Sequence, residues 1–321
     1  MKKTALLLLT LLLGLSLFSC GKSVDKNRVV VAQQFGLGYA PVILMQELNL
    51  IEKYYPEAQV EWVRLGSGGA IREGMAGGNI DVGSMGVPPY LIAWAKGYDY
   101  KIISALCEMP LGLQTYHENV KTLKDIKPGM KIALPSPGSI QHILLSMAAA
   151  KELGNPKALD QNIIAMAHPD GVNALINQVE IDGHFTSPPY IFKELEQDNI
   201  HQVVNARDAF GGDFTFLVTA ATGQLKKRNP ELFNAVYKAL EEAIIMLNEN
   251  PEKTAEYVAP VLNLDRETYM KYITWEGVRF STNPHGLLTF LDFMNEAGYV
   301  DRNTENVKDL LWETLDPAWA D

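Results

Sequence analysis

LGSGGAIREGMAGGNIDVGSMG, residues Leu65 to Gly86, decides how the chain is read. It reads as a glycine turn, a short helix, a second glycine turn, a buried strand over Asp81, Val82 and Gly83, and a third turn holding Ser84, Met85 and Gly86. Gly66, Gly68 and Gly69 let the backbone sit close to a ligand. The free N–H groups of the helix that follows point back at that loop and make an anion site. Ser67 adds a hydroxyl, and Ser84 adds another from the neighbouring turn. The plainer alternative, glycines that only tighten turns, is weighed against the rest of the chain.

Outward from this stretch the same unit recurs. Arg28–Gln33 is a strand without polar alternation, as in a sheet covered on both faces. The loop from Gln34 to Tyr39 follows, and Pro41 suits the first turn of a helix. Val60–Val63 is a second strand, Pro88–Trp94 a helix, and Tyr100–Leu106 a further strand. A second series begins after Leu113. It runs through the strand Lys131–Leu134, the small-residue loop Pro135–Ser139, the helix Ile140–Leu153 and the strand Asn162–Met166. His168–Gly171 then reads as a turn, with Asp170 capping a helix over Val172–Val179. A strand ending in His184, Phe185 and Thr186 opens one more helix near Tyr190. Strands alternating with helices predict an α/β fold of two doubly wound parallel-sheet lobes. Phe214–Thr219 is a β-rich run that returns to the first lobe, and the remainder is mainly helical. Asn229-Pro230, Asn250-Pro251 and Asn283-Pro284 read as cap and first turn of three helices. In the first of these, Leu232, Val236, Leu240, Ile244 and Leu247 form a stripe for core packing. The expected division is residues 28–112 for the first part of lobe 1, 113–207 for lobe 2, and 208–321 for the return and the C-terminal helices packed on lobe 1.

Residues 1–19 read as a signal peptide: Lys2 and Lys3 precede an apolar run from Thr4 to Phe18 that is short for a membrane span. Leu17-Phe18-Ser19-Cys20 resembles a bacterial lipobox. That resemblance implies cleavage before Cys20 and acyl chains on it, with residues 20–27 as a tether, and more than one chain gives stable anchoring. Loss of Lys2 and Lys3 takes the net charge from −10 to −12. Such a charge argues against nucleic acid, which needs clustered Lys and Arg. Of the two cysteines only Cys107 would stay a thiol, in an apolar run, buried and inert. Ser16–Ser23 resembles a phosphate loop but lacks its first glycine and straddles the cleavage site.

No HExxH, CxxC, GxSxG or complete GxGxxG occurs, so neither an enzyme nor a cofactor or metal site is expected. His168 and His184 both lie at strand ends, but no ligand spacing supports a metal pair. Present instead are small uncharged donors at the carboxyl ends of strands, where open α/β sheets bind ligands. They fall in both halves: Gln34, Tyr39, Ser67, Gly68, Ser84, Met85 and Gly86 in one; Ser136, Ser139, Gln141, His184 and Thr186 in the other. Two facing sets imply a cleft that closes by hinge motion.

Here the chain resembles the substrate-binding lipoproteins of bacterial ATP-binding cassette (ABC) importers of the nitrate, sulfonate and taurine type. The resemblance runs from about Val29 to Trp312. It is carried most specifically by GSGGAIREGMAGGNIDVGSMGVPP, PGSIQHILLSMAA and HPDGVNALINQVEIDGHFTSPPYIFKEL. It implies a periplasmic binding protein type II fold with two crossover segments. It also implies a small-molecule anion held between the lobes, a permease and its ATPase as partners, a monomer, and a place on the membrane facing the periplasm or cell exterior. The loops matching Ser67-Gly68, Ser84-Met85-Gly86, Ser136–Ser139 and His184–Thr186 are implied to face the ligand. Family members also take pyrimidine-type compounds, so an uncharged aromatic ligand stacked on Phe35 or Tyr39 stays open. Two enzyme alternatives carry the same fold. The pyrimidine synthase needs a cysteine cluster that Cys20 and Cys107 cannot supply, and dehydratase-like relatives have no lipobox. A surface adhesin or sensor is the third reading.

Overall fold

The computed structural model describes residues 25–315. The signal peptide, Cys20 and the start of the tether lie outside the described residues. Five strands and a short edge strand make the first sheet: β1 Arg28–Gln33, β2 Gln59–Arg64, β3 Val82–Gly86, β4 Tyr100–Glu108, β10 Leu217–Thr222 and β11 Arg279–Phe280, in the order β11-β4-β10-β3-β1-β2. The second sheet has the order β7-β6-β8-β5-β9, from β5 Gly112–Thr115, β6 Ile132–Leu134, β7 Ile163–Ala165, β8 Gly183–Thr186 and β9 His201–Asn205. The chain therefore passes between sheets twice, once between β4 and β5 and once between β9 and β10. Each lobe has a parallel set, β2-β1-β3 and β7-β6-β8. β10 runs antiparallel to β3 and β4, and β5 runs antiparallel to β8 and β9. Each of these two is the first strand after a crossing, so it enters its sheet against the parallel set.

The helices used below are α1 Ala40–Glu47, α2 Leu50–Tyr54, α3 Gly68–Ala76, α4 Val87–Ala95, α5 Ile140–Leu153, α6 His168–Ile176, α7 Tyr190–Leu195, α8 Ala206–Phe210, α9 Gly223–Arg228, α10 Pro230–Glu249 and α11 Pro251–Val261. The stripe expected on α10 is buried from Leu232 to Leu247 and packs on α1 and α2 of the first lobe. Each fully buried Leu or Ile contributes about 1.5–3 kcal/mol. Asn229 caps α10 through the Leu232 N–H at 3.0 Å.

Three local expectations are corrected. Ser84, Met85 and Gly86 are the last residues of β3 rather than a turn, because β10 pairs along them and extends the strand. Asp170 lies in the first turn of α6; that helix starts two residues earlier, with Pro169 inside its first turn. No helix starts at Asn283-Pro284. The next helix begins at Leu287, after Gly286 in the left-handed region at φ 74°.

Candidate functional site

The carboxyl ends of β1 and β3 meet the loops around β6 and β8 across a closed seam. The Leu37 N–H donates to the Pro188 carbonyl at 2.9 Å, joining the two lobes directly. A Cβ added at Gly86 would stand 3.1 Å from the Ile140 Cβ, and one at Gly69 would stand 3.2 Å from the Ser136 Oγ. At these two positions the glycine matters because the opposite lobe arrives where a side chain would be.

Two adjoining compartments lie in the seam and share Gln34 and Phe35 in their walls. The inner one encloses about 20 Å³, room for roughly one water molecule. Of the residues singled out in the sequence, Gln34, Tyr39, Gly68, Gly86, Ser139 and Gln141 line it. Gln34 Nε2 donates to the Tyr39 hydroxyl at 2.5 Å. Burial pushes the Tyr39 phenol well above its usual pKa, so it stays protonated. Ser139 is the N-cap of α5 and accepts from the His142 N–H at 3.3 Å. Its hydroxyl proton stays free to donate, since the capping bond uses only the oxygen.

The other singled-out residues do not line the inner chamber. Ser67 caps α3, accepting from the Ala70 N–H at 3.2 Å. Ser84 sits opposite Thr219 in the β3–β10 register, and the two hydroxyls are 2.8 Å apart. Met85 is in the core. The Ser136 Oγ is buried without a partner beside Gly69, next to the chamber rather than in its wall. His184 and Thr186 stand one layer behind it. The sequence reading missed His168, Ser187 and Phe216, which line the chamber. The sequence reads His168 as part of a turn; a helix starting there, with Pro169 in its first turn, is the signal that points to it.

Behind the wall runs a buried polar chain. Gln141 Nε2 is 3.1 Å from His168 Nε2, and His168 Nδ1 is 3.0 Å from His184 Nε2. His184 Nδ1 is 2.5 Å from Glu194 Oε1. Thr186 Oγ1 adds a contact to His168 Nδ1 at 3.2 Å. The Gln114 amide nitrogen, which β5–β8 pairing sets opposite His184, donates to Glu194 Oε2 at 3.2 Å. Burial pushes Glu194 well above the usual carboxylate range. It depresses His184 to about 3, and burial with the His184 neighbour depresses His168 well below its ordinary value. Each group is thus held neutral because charge is costly away from water. A neutral ring carries a single N–H, so the bond to Glu194 Oε1 fixes the tautomer of His184 and, through it, that of His168. Glu194 therefore orients the ring that reaches the cleft. Among the described residues no group of three or more His, Cys, Asp or Glu is placed to hold a metal, and no helix is long and apolar enough to cross a membrane.

Two α/β lobes, two crossing segments and a cleft at the strand ends define a periplasmic binding protein architecture. Within it, the chain belongs to the NMT1-like family, whose model matches residues 24–263. It is 25% identical over 265 residues to a putative aliphatic sulfonates-binding protein of Escherichia coli (strain K12), covering 82% of this chain and 80% of that one. Among solved structures it resembles the alkanesulfonate-binding protein of Xanthomonas axonopodis pv. citri bound to MOPS. The TM-score is 0.72 at 17% identity, over 90% of this chain and 99% of that one. The periplasmic nitrate-binding protein of Synechocystis PCC 6803 gives a TM-score of 0.70 at 17% identity, over 88% and 84% of the two chains.

Proposed function

We propose that this chain is the solute-binding protein of an ABC importer. It captures a small organic anion between its lobes and hands it to a permease driven by an ATPase, without chemical change to the solute. The observation that carries the reading is the inner chamber. The N-termini of α3 and α5 converge on it from opposite lobes, and its wall holds neutral donors and no charged side chain. Oriented N–H groups, hydroxyls and a neutral imidazole can hold the polar end of an anionic solute and release it. The sulfonate-binding names of two of the relatives support an organic anion, and the nitrate-binding name of the third supports a small anion more broadly. As closed, the chamber is too small for such a solute, so capture requires the lobes to part. The hinge falls in the two crossing segments, Met109–Leu111 and the stretch from α8 to β10. The lipobox at Cys20 supports anchoring on the membrane face toward the periplasm or cell exterior, and the protein is read as a monomer.

Calorimetry of the mature chain against taurine, alkanesulfonates, benzenesulfonate, nitrate and a pyrimidine tests the reading. The expected result is one site of micromolar order or tighter for a sulfonate. No heat with any anion defeats it. The Tyr39 and Phe216 walls of a chamber without ionised groups favour a second reading, a neutral ring compound, which binding of the pyrimidine alone would establish.

A further inference from the structure

The outer compartment is much larger than the inner one, about 320 Å³, which is the low end of the range for small-molecule sites. Its wall comes from both lobes. Phe35 and Arg64 belong to the first; Asn173, Tyr190 and Lys193 belong to α6 and α7 of the second. Arg64 and Lys193 are cations, and no carboxylate lines the space. That is unexpected by composition in a chain carrying 38 acidic against 28 basic residues. Of the eight arginines in the described residues, the other seven have an ion pair or a hydrogen bond to the protein. Arg64 has neither, and its guanidinium stands 5.6 Å over the Phe35 ring. Lys193 likewise has no carboxylate partner. A cleft lined by one sign of charge between low-dielectric walls concentrates ions of the other sign.

We propose that this compartment is a second, outer subsite of the same cleft, in which Arg64 and Lys193 together hold an ionised carboxylate, sulfonate or phosphate group of the ligand. The proposal rests on the solute-binding reading and sharpens it. The solute is an organic anion with an apolar or aromatic body lying against Phe35 and Tyr190, with a smaller polar end toward Gln34 and the inner chamber. A bare inorganic ion would fill neither the volume nor the aromatic walls. Because Arg64 and Lys193 sit on opposite lobes, an anion between them also draws the lobes together. The planar Arg64 fork suits two-point contact with such a group, and Lys193 adds a point charge.

Amide and side-chain NMR shift mapping on the mature chain tests this, with nitrate, methanesulfonate, benzenesulfonate and benzoate as probes, in the wild type and in Arg64→Gln, Lys193→Gln and the double variant. Arg64 is exposed and Lys193 half-buried, and neither side chain makes a hydrogen bond or ion pair among the described residues, so neither substitution removes a packed polar partner. Benzenesulfonate or benzoate is expected to shift Phe35, Arg64, Tyr190 and Lys193 and to bind more tightly than nitrate or methanesulfonate. Each single variant is expected to weaken binding about tenfold and the double about a hundredfold, in line with loss of one and two charge-assisted hydrogen bonds. Added salt should weaken the wild type more than the double variant. Shifts confined to Gly68, Ser139 and their neighbours, unchanged by either substitution, overturn the outer subsite and leave the importer reading standing. No shift with any anion up to millimolar concentration overturns both.

Discussion

The two walls of the inner chamber are built in different ways. The first lobe offers Gln34, Tyr39 and the start of α3. These are uncharged groups just beyond the strand ends, with Ser84 behind them tied off against Thr219 at 2.8 Å. The second lobe offers Gln141 and His168, and behind them a chain of titratable groups reaching Glu194, every member of it buried. One wall can be altered residue by residue. The other is a network, in which removing one member leaves the next unpaired in low dielectric.

The sharpest way to break this contrast is Glu194→Ala. It leaves His184 Nδ1 without its hydrogen-bond partner in the core. A loss of about 3 kcal/mol in urea unfolding is expected, against about 1 kcal/mol for Ser84→Ala in the first lobe. Equal losses would show that the second wall is no network.

The pH dependence of stability sharpens the comparison further, with signs that follow from the directions of the shifts. Between about pH 4.5 and 6.5 the unfolded chain binds protons on His168 and His184, whereas the folded chain binds one, on Glu194. The unfolded state thus holds one proton more, and this cluster's stability falls as pH drops, by about 1.4 kcal/mol per unit. Above about 6.5 the unfolded histidines are neutral while folded Glu194 keeps its proton, so stability falls again as pH rises. A maximum near pH 6.5 is expected in denaturation series, and Glu194→Gln should flatten its alkaline limb. An alkaline limb that persists unchanged in that variant would refute the neutral assignment.

Smaller effects separate caps from free hydroxyls. Ser67→Ala and Ser139→Ala each remove a helix N-cap and should cost about 1 kcal/mol of stability, but only Ser139→Ala, in the chamber wall, should also weaken ligand binding in calorimetry. Ser136→Ala deletes an oxygen with no partner and should change stability by less than about 0.5 kcal/mol. A larger loss would mean Ser136 holds a bridging water.

What could be read from the sequence was local. The run of Gly and Ser after β2, the helix Ile140–Leu153 and the stripe on α10 all announced themselves through period and caps. So did six of the chamber residues, because ligand sites in open α/β sheets sit at strand ends. Ser84 and Met85 were misplaced because their surroundings depend on β10, a strand more than a hundred residues away that pairs along them. His168 and His184 were noticed as a pair, but their chemistry is set by Glu194, one helix further on. No spacing rule connects a strand residue to a carboxylate ten positions later. In the sequence Arg64 looks like any charged residue at a strand end. Only the fold shows Lys193 across from it.

Cys107 lies sealed in β4, its Sγ 3.7 Å from the Gly38 carbonyl and its thiol pushed well above the ordinary value by burial. A reagent that alkylates thiolates therefore meets this sulfur only when the first sheet comes apart. The rate of its modification clocks the rupture of that sheet, and a solute that locks the two halves together should slow the clock without touching it.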